Sequence, residues 1–252
     1  MKLYEVRDIV RESIGRDKAA PHFFDWSVEQ GLREIEKQDN WYWQEAIASG
    51  TSLVVDRQVY SVTAATSGSI TSPTSSASGG FSITAYKDMR QVLAQDSSLS
   101  APIWDEVYGP RLQEMLEQEY ASTDTGFPEQ YSLMENSTGR LDVAFWPPKP
   151  DKTYAMRLYH YVWTSLPTDP TVDTHEVLQR WPELLIYLAT AVGLESLYND
   201  PQRGQTWRAR AAKELIDLER YDLDRSWDNR MELVPLTGGV VTRFPQHTKV
   251  YV

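Results

Sequence analysis

The sequence predicts an α+β protein: an antiparallel helical bundle built from N- and C-terminal helices, an inserted β-sandwich-like region, and an extended C-terminal arm. Three observations carry this prediction. Apolar residues recur every three or four positions near both ends of the chain, at Leu3, Val6, Val10 and Ile14 and again at Trp207, Ala211, Leu215 and Leu218. Between those stretches the period falls to two, most clearly from Arg140 to Phe145 and from Lys152 to Trp163. After Ser226 no helical stripe continues. The implied divisions are 1–50 for the first bundle helices, 51–165 for the β-rich insertion, 166–225 for the remaining bundle helices and 226–252 for the arm.

Gly15 and Pro21 bracket the end of the first helix. Phe24, Val28, Leu32 and Ile35 mark a second, with Ser27 and Gln30 spaced as a capping box near its start. Trp41 and Trp43 fall on one side of an extended chain leaving the bundle across its apolar end. Leu53 with Val55, and Val59 with Ser61, read as short strands around Asp56-Arg57. Residues 61–80 are uncharged and rich in Ser, Thr, Ala and Gly, and read as a long exposed loop. Phe81, Ile83 and Val92-Leu93 suggest another strand pair. Pro110 to Tyr120 reads as a short helix with Pro110 in its first turn and Leu112, Met115 and Leu116 inward. Turns at Gly126-Phe127-Pro128 and Asn136–Gly139 flank a strand at Tyr131–Met134.

The strand from Lys152 to Trp163 is apolar on both faces. Tyr154, Met156, Leu158 and Val162 alternate with Ala155, Tyr159, Tyr161 and Trp163. A strand open to water on one side alternates apolar with polar, so this one is expected to be covered on both sides, by the protein's own helices or by a neighbouring subunit. A polar linker from Pro167 to Asp173 leads to a helix opened by Pro182, with Leu184, Leu185, Leu188, Val192 and Leu197 inward. Asp200 caps the last helix, with Pro201 at its first position. Arg210–Glu214 and Lys213–Asp217 have the spacing of ion pairs on its wet face.

Composition narrows the function classes. The chain of 252 residues carries a net charge of −11, nine Trp and fourteen Tyr. Without cysteine it has no disulfide, zinc-thiolate site or thiol nucleophile. No basic cluster suited to gripping phosphates is present. No run approaches the roughly 20 apolar residues that cross a bilayer, and a soluble protein made in a cytoplasm is expected.

The four histidines are far apart, and His175-Glu176 opens like a zincin motif but has Gln179 where the second histidine belongs. No phosphate-cradling glycine motif and no G-x-S-x-G elbow occurs. Glu114 and Glu117 stand one helical turn apart, a pairing that could cleave a glycosidic bond beside so many Trp, though such pairs usually line a solvated face. No catalytic, cofactor-binding or metal-ligating residue is assigned.

The succession of short motifs is more specific than any one of them. Gly126–Pro128 is a G-x-P turn, Gly139–Pro147 a G-R-L-x-V-x-F-x-P strand, and Tyr154–Tyr159 a Y-x-M-R-L-x-Y strand. Leu166–Pro170, Pro182–Ala191 and Asp200–Leu215 follow as an L-x-x-D-P linker and two helices. This order resembles the head–tail adaptor (head-completion connector) proteins of tailed phages, a group that includes the tail tubular A type. The likeness covers 126–224 well and about 20–65 loosely; 61–120 departs from it by the Ser/Thr-rich segment, and the arm does not align.

The resemblance implies a virion protein of the phage neck, made in the host cytoplasm. It implies a homo-oligomeric ring of twelve copies docked beneath the portal, extending the DNA channel and presenting a platform to the next neck or tail protein. DNA would pass through the lumen without specific binding, and no cofactor or enzymatic activity is carried over. The acidic surface, the two-faced strand and the excess Trp and Tyr fit this reading. Arg243, Phe244 and Tyr251 in the arm, with Trp163 and Tyr161, are the expected subunit or portal contacts. The alternatives are a carbohydrate-binding or glycan-cleaving module, or another neck component such as a stopper or tail terminator.

Overall fold

A computed structural model describes residues 1–15, 21–53, 55, 58–64, 81–83, 85–96, 98, 103–135 and 141–230. Two apolar cores organise it. Helices α1 (Leu3–Ile14), α2 (Pro21–Gln38), α4 (Glu176–Arg180), α5 (Pro182–Val192) and α6 (Pro201–Arg230) enclose the first. The stripes read from the sequence supply it: Leu3, Val6, Val10, Ile14, Phe24, Val28, Leu32, Ile35, Leu184, Leu185, Ala211 and Leu218 are all buried. Gly15 closes α1 in the left-handed conformation at φ 78°, which glycine adopts without steric cost. Asp200 caps α6 as expected, its Oδ1 accepting the Arg203 N–H at 3.1 Å.

The second core lies between two four-stranded sheets. One has the order β1 (Glu45–Leu53), β10 (Tyr154–Val162), β4 (Tyr86–Asp96), β5 (Trp104–Val107), antiparallel throughout. The other has the order β3 (Phe81–Ile83), β2 (Val59–Ala64), β8 (Leu141–Trp146), β7 (Gln130–Glu135). Leu53, Val92, Tyr154, Met156 and Leu158 from the first meet Tyr60, Ile83, Tyr131, Val143 and Phe145 from the second. The two-residue strands β6 (Thr125–Gly126) and β9 (Lys149–Pro150) pair in parallel. The fold is mixed α+β, with the two sheets inserted between α2 and α4 and not closed into a barrel.

Several local expectations are corrected. The second helix starts at Pro21, so Ser27 is no cap; it is buried in mid-helix and its hydroxyl donates to Phe23 O at 2.9 Å. The short helix α3 (Gln113–Glu119) begins after Pro110, and Leu112 and Met115 are 71% and 49% exposed, leaving Leu116 as its buried anchor. Seven residues make two turns, too few to bury a full stripe from one side. The strands at Phe81 and Val92 belong to different sheets rather than pairing with each other.

Tyr42–Gln44 form a 3₁₀ turn rather than an extended exit, and the rings of Trp41 and Trp43 stack at 5.5 Å. Along β10, Tyr154, Met156, Leu158 and His160 alternate on the buried side, whereas Val162, expected with them, is half-buried. The strand's other face is half-buried rather than packed under the protein's own helices. Helix α6 runs through Arg230, beyond the expected boundary at 225, because each further residue of an established helix adds a hydrogen bond without a new nucleation cost. Arg210 lies over the Trp207 ring at 4.6 Å and Asp217 meets Arg220 at 3.7 Å, in place of the expected four-residue pairs.

Candidate functional site

The chain leaves the bundle through Asp39–Glu45 and returns through Trp163–Leu166, and both crossings converge on a buried polar cluster. Lys87, from β4, reaches the C-terminal end of α2. Its ammonium donates to Glu36 O, to Asp39 O at 2.6 Å and to Gln44 Oε1 at 2.8 Å. All three of its protons are thereby used, two of them on main-chain carbonyls at and just past the C-terminus of α2, where such groups are left unpaired and electronegative. Burial pushes the Lys87 pKa down, and the carboxylates of Glu36, Asp39 and Asp88 oppose that shift. Gln44 completes the seam: its Nε2 donates to Val162 O at 3.2 Å, while its Oε1 accepts the Trp41 N–H at 3.1 Å. The ring of Trp163 lies near both Arg33, at 5.6 Å, and Lys87, at 5.1 Å.

Glu36 falls on the apolar stripe of α2 and is fully buried. One of its oxygens accepts the Thr164 backbone N–H at 3.0 Å and the Thr164 hydroxyl; the other accepts Arg33 Nη1 at 2.8 Å. Thr164 Oγ1 in turn lies 2.8 Å from His175 Nε2. The Val177 N–H points to His175 Nδ1 at 3.1 Å, so Nδ1 is the acceptor and Nε2 carries the proton. The protons therefore run one way, from His175 to Thr164 to Glu36. Burial holds the His175 pKa down at about 4, against the pull of Glu176.

Carboxylate, hydroxyl and imidazole occur together as they do in hydrolase triads, yet the polarity is opposite. An activated nucleophile gives its proton to the imidazole; here the imidazole donates to the hydroxyl, whose own proton is committed to Glu36. The arrangement fixes two layers and does not prime a nucleophile.

A second clasp lies beside it. The Tyr42 hydroxyl donates to Glu176, and its backbone N–H donates to Asp222 Oδ1 at 3.1 Å. Glu176 also meets Arg180 at 2.6 Å, and Arg225 covers the Tyr42 ring at 4.1 Å. Burial raises the pKa values of both Tyr42 and Asp222. The 3₁₀ turn at the exit is thus tied to α4 and α6 at once.

The outer surface holds a recess of about 500 Å³, bordered by Gln91, Trp104, Glu106, Tyr108, Phe127 and Glu129. Arg157 sits over the Trp104 ring at 4.1 Å. Glu114 and Glu117 are exposed on α3 and face water. Trp163 is engaged at the bundle–sandwich junction, with its backbone N–H donating to Ala85 O at 2.8 Å, and Tyr161 is half-buried opposite Glu45 and Asp88. Arg243, Phe244, Tyr251 and most of the Ser/Thr-rich segment lie outside the described residues. Among the described residues no cluster of His, Asp or Glu could hold a metal ion, and no helix is long and apolar enough to cross a membrane.

Sequence reasoning missed Glu36, Lys87 and Thr164. A usable signal existed for Glu36: it follows Leu32 by four positions, on the buried side of an otherwise apolar stripe. His175 was noticed only as half of a metal motif. Compared with known proteins, the chain matches no family model and no curated protein.

Proposed function

We propose that this protein is a structural component of a phage neck: a ring-forming head–tail adaptor that docks beneath the portal, extends the DNA channel and receives the next neck or tail protein. The observation that carries the reading is the way the two layers are joined. The sandwich is inserted between α2 and α4, and both crossings are fastened by buried, directional hydrogen bonds from Glu36, Lys87 and Thr164. A subunit of a closed ring needs a fixed angle between its parts, because a small error repeated around the ring prevents closure. Fully satisfied buried networks supply such rigidity.

The acidic net charge of −11 supports a lumen that DNA crosses without adhering. The half-buried outer face of β10 and the exposed aromatic residues Tyr4, Phe23, Trp26 and Tyr108 support contacts with other subunits. Electron microscopy of the purified chain, alone and with isolated portal rings, tests the reading. Rings that cap the portal are expected; a protein that stays monomeric at high concentration and ignores portals overturns it.

A further inference from the structure

The segment from Ile103 to Glu129 combines exposed apolar surface with concentrated negative charge. Ile103, Tyr108, Leu112 and Met115 are 63%, 60%, 71% and 49% exposed, within thirteen residues of one another in sequence. Isolated exposed apolar residues are ordinary, whereas a concentration of them marks a contact surface. The recess of about 500 Å³ adjoins this segment at Trp104, Glu106, Tyr108 and Glu129. Residues 103–130 carry seven acidic side chains and one basic, a net −6 out of the chain's −11. The basic one, Arg111, is already paired with Glu119 at 2.9 Å.

The complementary surface is on α6. From Pro201 to Lys213 that helix carries four basic side chains and no acidic one. Arg208 is held internally between Glu34 and Glu195, both contacts at 2.7 Å. Arg210 and Lys213 project from the exposed side. Beside them Ala209, Ala212 and Ile216 are exposed, Ile216 at 50%, spaced three and four residues apart as one stripe. The two surfaces sit on different layers of the fold, and among the described residues no ion pair joins them.

We infer that the acidic, apolar surface around β5 and α3 of one copy docks on the basic first half of α6 of the next copy. The contact is head-to-tail, using two different patches, and head-to-tail contacts close into rings when the rotation between copies allows it. Opposite charge sets the register and steers encounter, while Leu112, Met115 and Ile216 supply the apolar burial. This inference rests on the ring reading above and assigns the surfaces that make the ring.

Charge exchange tests it on the full chain, with association followed by sedimentation at increasing concentration. One variant carries Arg210→Glu and Lys213→Glu; the other carries Glu114→Lys and Glu117→Lys. All four side chains are exposed and give up only surface contacts, Arg210 with the Trp207 ring and Glu117 with Gln113, so each variant should fold, which its melting temperature checks. Each variant alone sets like charges face to face and should associate at least about ten-fold more weakly than the unmodified chain. Their equimolar mixture restores opposite charges at every contact and should associate again.

Because the chain contains no cysteine, Glu117→Cys combined with Lys213→Cys gives a second readout. A short bismaleimide should link that double variant into a ladder of multimers and either single variant no further than a dimer. If the unmodified chain associates but the charge variants associate equally well, or their mixture fails to recover, the surface assignment is overturned and the ring reading stands. If the unmodified chain never associates, both fall.

Discussion

Thr164 donates its backbone N–H, at 3.0 Å, and its hydroxyl to the same carboxylate oxygen of Glu36, a residue 128 positions earlier in the chain. That contact closes the loop of the whole insertion, because Glu36 lies in the last turn of the helix before the sandwich and Thr164 follows its last strand. Glu36→Ala leaves the Thr164 N–H and Arg33 without their buried partner. A loss of about 3 kcal/mol in unfolding free energy is expected, measured by urea denaturation. Thr164→Val keeps the shape but strands the His175 Nε2–H, for a loss of about 1–3 kcal/mol.

Acid should loosen the same junction. His175 is held at about 4, against about 6.5 for a free imidazole. A folded state that resists protonation is fully favoured above pH 6.5 and loses that advantage as the pH falls toward 4, by up to about 3 kcal/mol. Protonation also turns Nδ1 into a donor facing the Val177 N–H. Glu36 and Arg33 on α2, Glu176 and Arg180 on α4, and Tyr42 are the neighbouring titratable groups. His175→Asn retains an acceptor at this helix cap and should flatten the stability profile between pH 6.5 and 4; an unchanged profile would assign the acid sensitivity elsewhere.

Helix spacing supplies a prediction of opposite sign to the usual rule. Alanine in place of glycine inside a helix ordinarily stabilises by about 1 kcal/mol. A Cβ at Gly31 would stand 2.8 Å from Ala189 N and 3.1 Å from its Cα, backbone atoms of α5 that cannot yield without moving the helix. Gly31→Ala should therefore destabilise by about 2 kcal/mol or more. At Gly193 the obstacle is the tip of the Ile14 side chain at 2.6 Å, which can rotate. Gly193→Ala should cost clearly less, and the comparison of melting temperatures checks both.

Arg208 spans two elements, with Nη1 and Nη2 on Glu34 at 2.7 and 3.0 Å and Nε and Nη2 on Glu195 at 2.8 and 2.7 Å. A planar guanidinium can serve both carboxylates at once, and an ammonium cannot reproduce that fork. Arg208→Lys should lose most of what Arg208→Met loses, about 1–2 kcal/mol given the partial exposure of the site. Recovery to the unmodified stability by lysine would show that charge alone matters there.

The sequence by itself determined the bundle helices and the alternating strands, though not the cap expected at Ser27. Those are local consequences of periodicity, and most of the residues that carry them, among them Leu3, Val10, Leu32, Leu184 and Leu218, are buried as their spacing requires, while Leu197, Trp207 and Leu215 are half-buried. It also marked Asp200-Pro201 as a helix start from two adjacent residues. Only the tertiary structure decided which strand joins which sheet, that Leu112 and Met115 face outward, and that Glu36, Lys87, Thr164 and His175 meet. The physical reason is range. A stripe or a cap is set by neighbours within a turn of helix, whereas the buried Glu36 carboxylate has its local partner Arg33 on one oxygen and needs Thr164, 128 positions away, to satisfy the other.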